Sequence, residues 1–136
     1  MSRMVEAISN SLDLVRYLHN LVSEHPDFEV VREADASFYS FRYLPNGLAE
    51  RQDPEVWGLL DDMNEEIVKT IHREGLGSVA TTRVDGRVAM RVSIESQRSL
   101  LEIDTLFGAI ARCGRLFKNK LLIRRETTPN MEASYV

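Results

Sequence analysis

Arg87-Val88-Ala89-Met90-Arg91-Val92-Ser93-Ile94-Glu95, entered through Asp85-Gly86 and followed by Ser99-Leu100-Leu101-Glu102, is the stretch on which the fold of this chain turns. Asp-Gly between two alternating runs suits a type I′ hairpin, because both central residues of that turn need positive φ. Strands are therefore expected at about Ser78 to Val84 and Arg87 to Glu95. With Val84 opposite Arg87, the pleat sets Val79 and Thr81 on one face with Val88, Met90, Val92 and Ile94. Ala80, Thr82 and Val84 then share the other face with Arg87, Ala89 and Arg91. One face is apolar and the other is small and cationic.

Downstream, Ser99 and Glu102 have the spacing of a capping box, and Ile103, Leu106, Phe107, Ile110 and Phe117 carry a last helix. From about Lys120 no pattern is clear, so residues 120–136 are left as an unassigned tail. Upstream, Asp53 before Pro54 reads as an N-cap with proline in the first turn. Val56, Leu60, Met63, Ile67 and Ile71 then mark one apolar face up to a C-cap at Gly75. Phe28-Glu29-Val30-Val31 and Ser37 to Tyr43 are short, aromatic and β-branched, as neighbouring strands are. Pro45-Asn46-Gly47 stops the second of them. Before them, Val5, Ile8, Leu12, Val15, Leu18 and Val22 recur every three or four residues, which predicts a leading amphipathic helix over 1–25, ending before His25-Pro26.

The order is α-β-β-α-β-β-α, an α+β arrangement in which a four-stranded antiparallel sheet carries helices on one face. Residues 1–119 are expected to form a single domain, since 136 residues with 43% apolar content suffice for one core. The second sheet face, small residues around Arg91, either receives a docking partner or meets water or the first helix. A net charge of −4 with scattered basic residues argues against nucleic acid. The sequence has no run of about 20 apolar residues for a bilayer and no apolar secretion leader. Cys113 is the one cysteine, so a reducing, cytoplasmic setting is expected. His19, His25 and His72 lack ligand spacing, so no metal site is expected. Asp61, Asp62, Glu65 and Glu66 read as a solvated acidic patch on the middle helix.

The same signals, in order, resemble the C-terminal small domain of the pyridoxal-phosphate-dependent (group II) amino-acid decarboxylase family, which includes aromatic-amino-acid and glutamate decarboxylases. They are Phe28-Glu29-Val30-Val31, Phe41-Arg42-Tyr43, Leu60 with Asn64, Thr82 to Gly86, Met90-Arg91-Val92-Ser93-Ile94 and Glu102-Ile103-Asp104, so the resemblance covers roughly residues 5–117. Glu95-Ser96-Gln97-Arg98-Ser99 departs from it, standing where the family commonly has a small polar stretch with threonine. The resemblance implies the small domain of a fold type I enzyme, closing over substrate beside a large domain that holds the cofactor on a lysine. In the family that lysine follows a histidine; Lys69, Lys118 and Lys120 follow Val68, Phe117 and Asn119. No catalytic, cofactor-binding or metal residue is carried over.

Arg91 is carried over as the substrate-binding residue, since a guanidinium offers a carboxylate two parallel hydrogen bonds and a strand holds that fork steady. Its alternative is a sheet-face arginine paired with Glu95 or a helix carboxylate. Arg42 is assigned to the domain interface or the neighbourhood of the substrate. The expectation is a domain or fragment that lacks its pyridoxal-phosphate-binding large domain and is inactive and cofactor-free alone. Its partner would be that domain or a complementing chain, and a homodimer is expected. The alternative is a free-standing, non-catalytic binding or dimerisation module.

Overall fold

The computed structural model describes the backbone of residues 3–31, 38–48, 53–97 and 99–135; within these, side chains are described from 12 to 120, Ser96 excepted. The elements follow the order expected: α1 (Arg3–Glu24), β1 (Phe28–Val31), β2 (Phe38–Tyr43), α2 (Pro54–Glu74), β3 (Val79–Val84), β4 (Arg87–Ser93) and α3 (Leu100–Tyr135), with one 3-10 turn (Ile94–Ser96) before α3. The sheet runs β1-β2-β4-β3, every pair antiparallel. The helices pack on one of its faces. Ser37, expected in β2, and the side chains of Val5 and Ile8 lie outside the described residues.

Local chemistry sets the boundaries. Asp53 accepts from the Val56 N–H at 3.2 Å, satisfying a donor that the first turn of α2 cannot pair internally. At the other end Gly75 takes φ 64°, which lets its N–H reach His72 O and the Leu76 N–H reach Ile71 O. Asp85 and Gly86 stand at φ 53° and 78°, and Val84 faces Arg87, as the hairpin reading requires. Ser99 Oγ accepts from the Glu102 N–H at 3.1 Å and opens α3.

Two boundaries differ from the sequence reading. β4 stops at Ser93 rather than Glu95, because Ile94 to Ser96 wind into a turn closed by Gln97 N–H to Ile94 O at 3.0 Å. Ile94 stays 5% exposed, so the turn keeps its side chain in the core while ending the ladder. The segment from 120, without pattern in the sequence, continues the backbone of α3 to Tyr135.

The apolar sheet face meets the helices as the alternation dictates. Phe28, Phe41, Tyr43, Val79, Val88, Met90 and Val92 are buried. On the helices Leu14, Leu18, Leu60, Ile67, Ile71, Ile103 and Ile110 are buried as well. Phe28, Phe41 and Phe107 form a ring cluster, with centroids 5.0–6.1 Å apart in edge or tilted contact. Each such side chain contributes about 1.5–3 kcal/mol by leaving water.

Candidate functional site

The register gathers the second sheet face around the arginines. Ser40 lies opposite Arg91 on one side and Ala80 on the other, while Thr82 faces Ala89 and Glu29 faces Arg42. The small neighbours leave room above the strand for the Arg91 guanidinium, which stacks over the Phe38 ring with Cζ 4.4 Å from its centroid. Stacking and a strand backbone hold the guanidinium plane while its in-plane N–H groups keep the geometry for a carboxylate. Arg91 is half-buried at this position.

Arg42 has a different arrangement. It is 5% exposed, with Nε donating to Val88 O at 3.2 Å, Nη2 to Val84 O at 3.5 Å and Nη1 to Glu29 at 3.4 Å. Its fork is used inside the fold, tying β2 to β1, β4 and the end of β3. Burial lowers its pKa, the Glu29 charge opposes that shift, and nearby Arg87 adds to it.

α2 supplies the other polar fixings. Fully buried Asn64 accepts from the Tyr43 N–H at 2.8 Å and donates to Tyr43 O at 3.1 Å and Leu60 O at 2.8 Å. It takes the place of a strand partner at the end of β2. Asp61 accepts from the Val88 N–H at 2.9 Å, so one member of the expected acidic patch instead secures the start of β4. Trp57, at the first turn of α2, carries Arg87 on its ring, Cζ 3.5 Å from the centroid. Nothing in local sequence pairs residues 57 and 87; the contact exists because α2 crosses the end of the sheet where the hairpin begins.

A lysine that forms a Schiff base must be desolvated in an apolar pocket or set beside another cation, whereas a carboxylate partner holds it as an ammonium. Lys69 is 66% exposed and 3.6 Å from Glu66, Lys118 lies 3.8 Å from Asp27, and Lys120 is exposed near Phe117. None of these, the chain's three lysines, fits that position. Among the described residues no group of three histidine, cysteine or acidic side chains is placed to hold a metal. His19 meets the Tyr39 hydroxyl at 2.8 Å, His72 Nε2 meets Val79 O, and His25 packs on Phe28 and Phe107. Cys113 is buried, which pushes its thiol pKa up. Among the described residues no helix is long and apolar enough to cross a membrane.

Three helices and a four-stranded antiparallel sheet in the order α-β-β-α-β-β-α match the C-terminal part of pyridoxal-phosphate-dependent decarboxylase structures. In sequence the chain is similar to that same small domain of the group II amino-acid decarboxylases. It is 26% identical over 97 residues to an aromatic-L-amino-acid decarboxylase of Bacillus atrophaeus, covering 71% of this chain and 19% of that relative. It is 26% identical over 84 residues to an aspartate 1-decarboxylase of Aliivibrio fischeri, covering 57% of this chain and 15% of that one. The solved structure of Oryza sativa TDC with PLP and tryptamine superposes with a TM-score of 0.67 at 23% identity, over 82% of this chain and 23% of that one. The chain thus spans less than a quarter of the length of each of these three proteins. No family model matches it.

Proposed function

We propose that this chain is the C-terminal portion of a pyridoxal-phosphate-dependent amino-acid decarboxylase, in which Arg91 binds a carboxylate of the substrate. The observation that carries the reading is the placement of Arg91, a stacked guanidinium on a strand, flanked by Ser40 and Ala80 on the face of the sheet opposite the apolar core, in a decarboxylase-like fold. Arg42, with its fork committed to Val88, Val84 and Glu29, maintains that face rather than touching substrate. Pyridoxal phosphate supplies the electron sink of such an enzyme. Because no lysine here fits its attachment, the cofactor is held by another part of the enzyme, against which the arginine-bearing sheet face closes. This chain alone does not decarboxylate amino acids.

Two measurements test the reading. In source cells, an antibody to this chain should detect a protein several times larger than 15.5 kDa, or a 15.5 kDa protein that co-purifies with a chain binding pyridoxal phosphate. A lone 15.5 kDa product without such a partner would favour a non-catalytic module. In the assembled enzyme, Arg91→Lys keeps the charge and loses the planar fork, and should raise KM for the amino acid by about tenfold, a one-bond loss. Unchanged KM and kcat would remove Arg91 from the substrate site.

A further inference from the structure

The end of the sheet where Arg87 meets Trp57 lies about 13 Å from Arg91 along β4, four residues at strand rise. The substrate reading leaves it without a role. Two features there are unusual together. Trp57 is 9% exposed, and its Nε1 is a buried donor with no acceptor among the described residues. The guanidinium on its ring belongs to half-buried Arg87, for which no hydrogen bond or ion pair occurs among the described residues. Arg83, by comparison, donates to Gly86 O, and Arg42 uses its whole fork.

A buried N–H without an acceptor is destabilising, and stacking leaves the in-plane guanidinium donors of Arg87 unused among the described residues. The nearby carboxylates have other positions to hold: Glu29 pairs with Arg42, Asp61 accepts from Val88, and Asp85 forms the hairpin turn. We propose that Arg87 and Trp57 form a carboxylate-binding site, in which the guanidinium gives a carboxylate two parallel hydrogen bonds and a shift of the Trp57 ring brings its buried N–H to an acceptor on the same ligand. The carboxylate belongs either to a free dicarboxylic acid or to an acidic side chain of a docking peptide segment. This site is independent of the substrate reading, since it uses neither Arg91 nor a cofactor.

Trp57 is the only tryptophan, so its indole N–H gives a single resonance in a nitrogen–proton correlation spectrum of the chain. Titration with sodium glutarate, or with a blocked glycyl-glutamyl-glycine peptide, should move that resonance downfield and saturate; sodium chloride at matched ionic strength should not. Tighter binding of glutarate assigns a free dicarboxylate, and tighter binding of the peptide assigns a protein segment. Arg87→Gln should weaken the titration about tenfold, and Arg87→Lys, which keeps charge but not the fork, should also weaken it. Lys69→Gln, an equal charge loss on the outer face of α2, should leave it unchanged. A non-saturating shift, or equal titrations in the wild type and both Arg87 variants, would overturn the site.

Discussion

Arg42 and Arg91 share a sheet face, yet their environments assign them different work. Arg42 donates to two backbone carbonyls from strands more than 40 residues away, so Arg42→Met should cost about 2–3 kcal/mol, visible as a lower urea midpoint with an unchanged m-value. Unchanged stability would mean that those carbonyls find other donors. Tyr39 offers a pH test. Burial raises its hydroxyl pKa to about 12, from an ordinary 10.0, so the folded state favours the neutral phenol. Its contribution is fully present below pH 10 and is lost as pH rises through 12. Burial raises the Tyr43 phenol as well, so spectrophotometric titration should show both ionising late, and Tyr39→Phe should remove one of these late phenols and reduce the stability loss in that window. Period-two alternation placed Arg91 and Arg87 together from sequence alone. The depth of Arg42 was not legible, since it depends on carbonyls of a hairpin distant in sequence. Asp61 was misread for the same reason, its partner being a backbone N–H on β4.

Helix ends and the hairpin were legible because each is encoded within a few residues: Asp53-Pro54, Gly75, Asp85-Gly86 and Ser99 to Glu102 all act where they stand. Sheet order was not, because β2 pairs with β4 across the whole of α2 and β3, and no local pattern reports that closure. The contacts that fix it are side-chain specific. Asn64 satisfies both backbone groups of Tyr43, so Asn64→Leu leaves them buried and unpaired and should cost about 2–4 kcal/mol in chemical denaturation. Gly114 tests how closely α3 seats on the sheet. A Cβ there would stand 2.6 Å from Tyr43 Cε1, a carbon of a rigid ring, so α3 must shift to admit it. Gly114→Ala should destabilise by about 1–3 kcal/mol despite alanine's better helix propensity. The cost should shrink in a Tyr43→Leu background, and additive losses in that cycle would place the strain elsewhere.

The molecule as a whole has one apolar sheet face packed on helices and one on which arginines lie beside small residues. The helix side buries a continuous core, while the opposite side sets stacked arginines over small residues, a composition suited to closing against another surface. Apolar side chains also remain at the outer helical surface: Leu12 on α1 and Leu116 on α3 are each 54% exposed. If α1 completes its apolar stripe against a second copy, the purified chain should sediment at about twice 15.5 kDa. Burial of leucine rather than ion pairing would hold that dimer, so raised salt should leave it intact, whereas Leu12→Glu should give a monomer with unchanged circular dichroism. Adding pyridoxal phosphate should not change the mass of the chain or produce a Schiff-base absorbance, because Lys69 and Lys118 pair with carboxylates and Lys120 is exposed. A cofactor-dependent mass, or a Schiff-base absorbance in this chain alone, would overturn the assignment of the cofactor to another part of the enzyme.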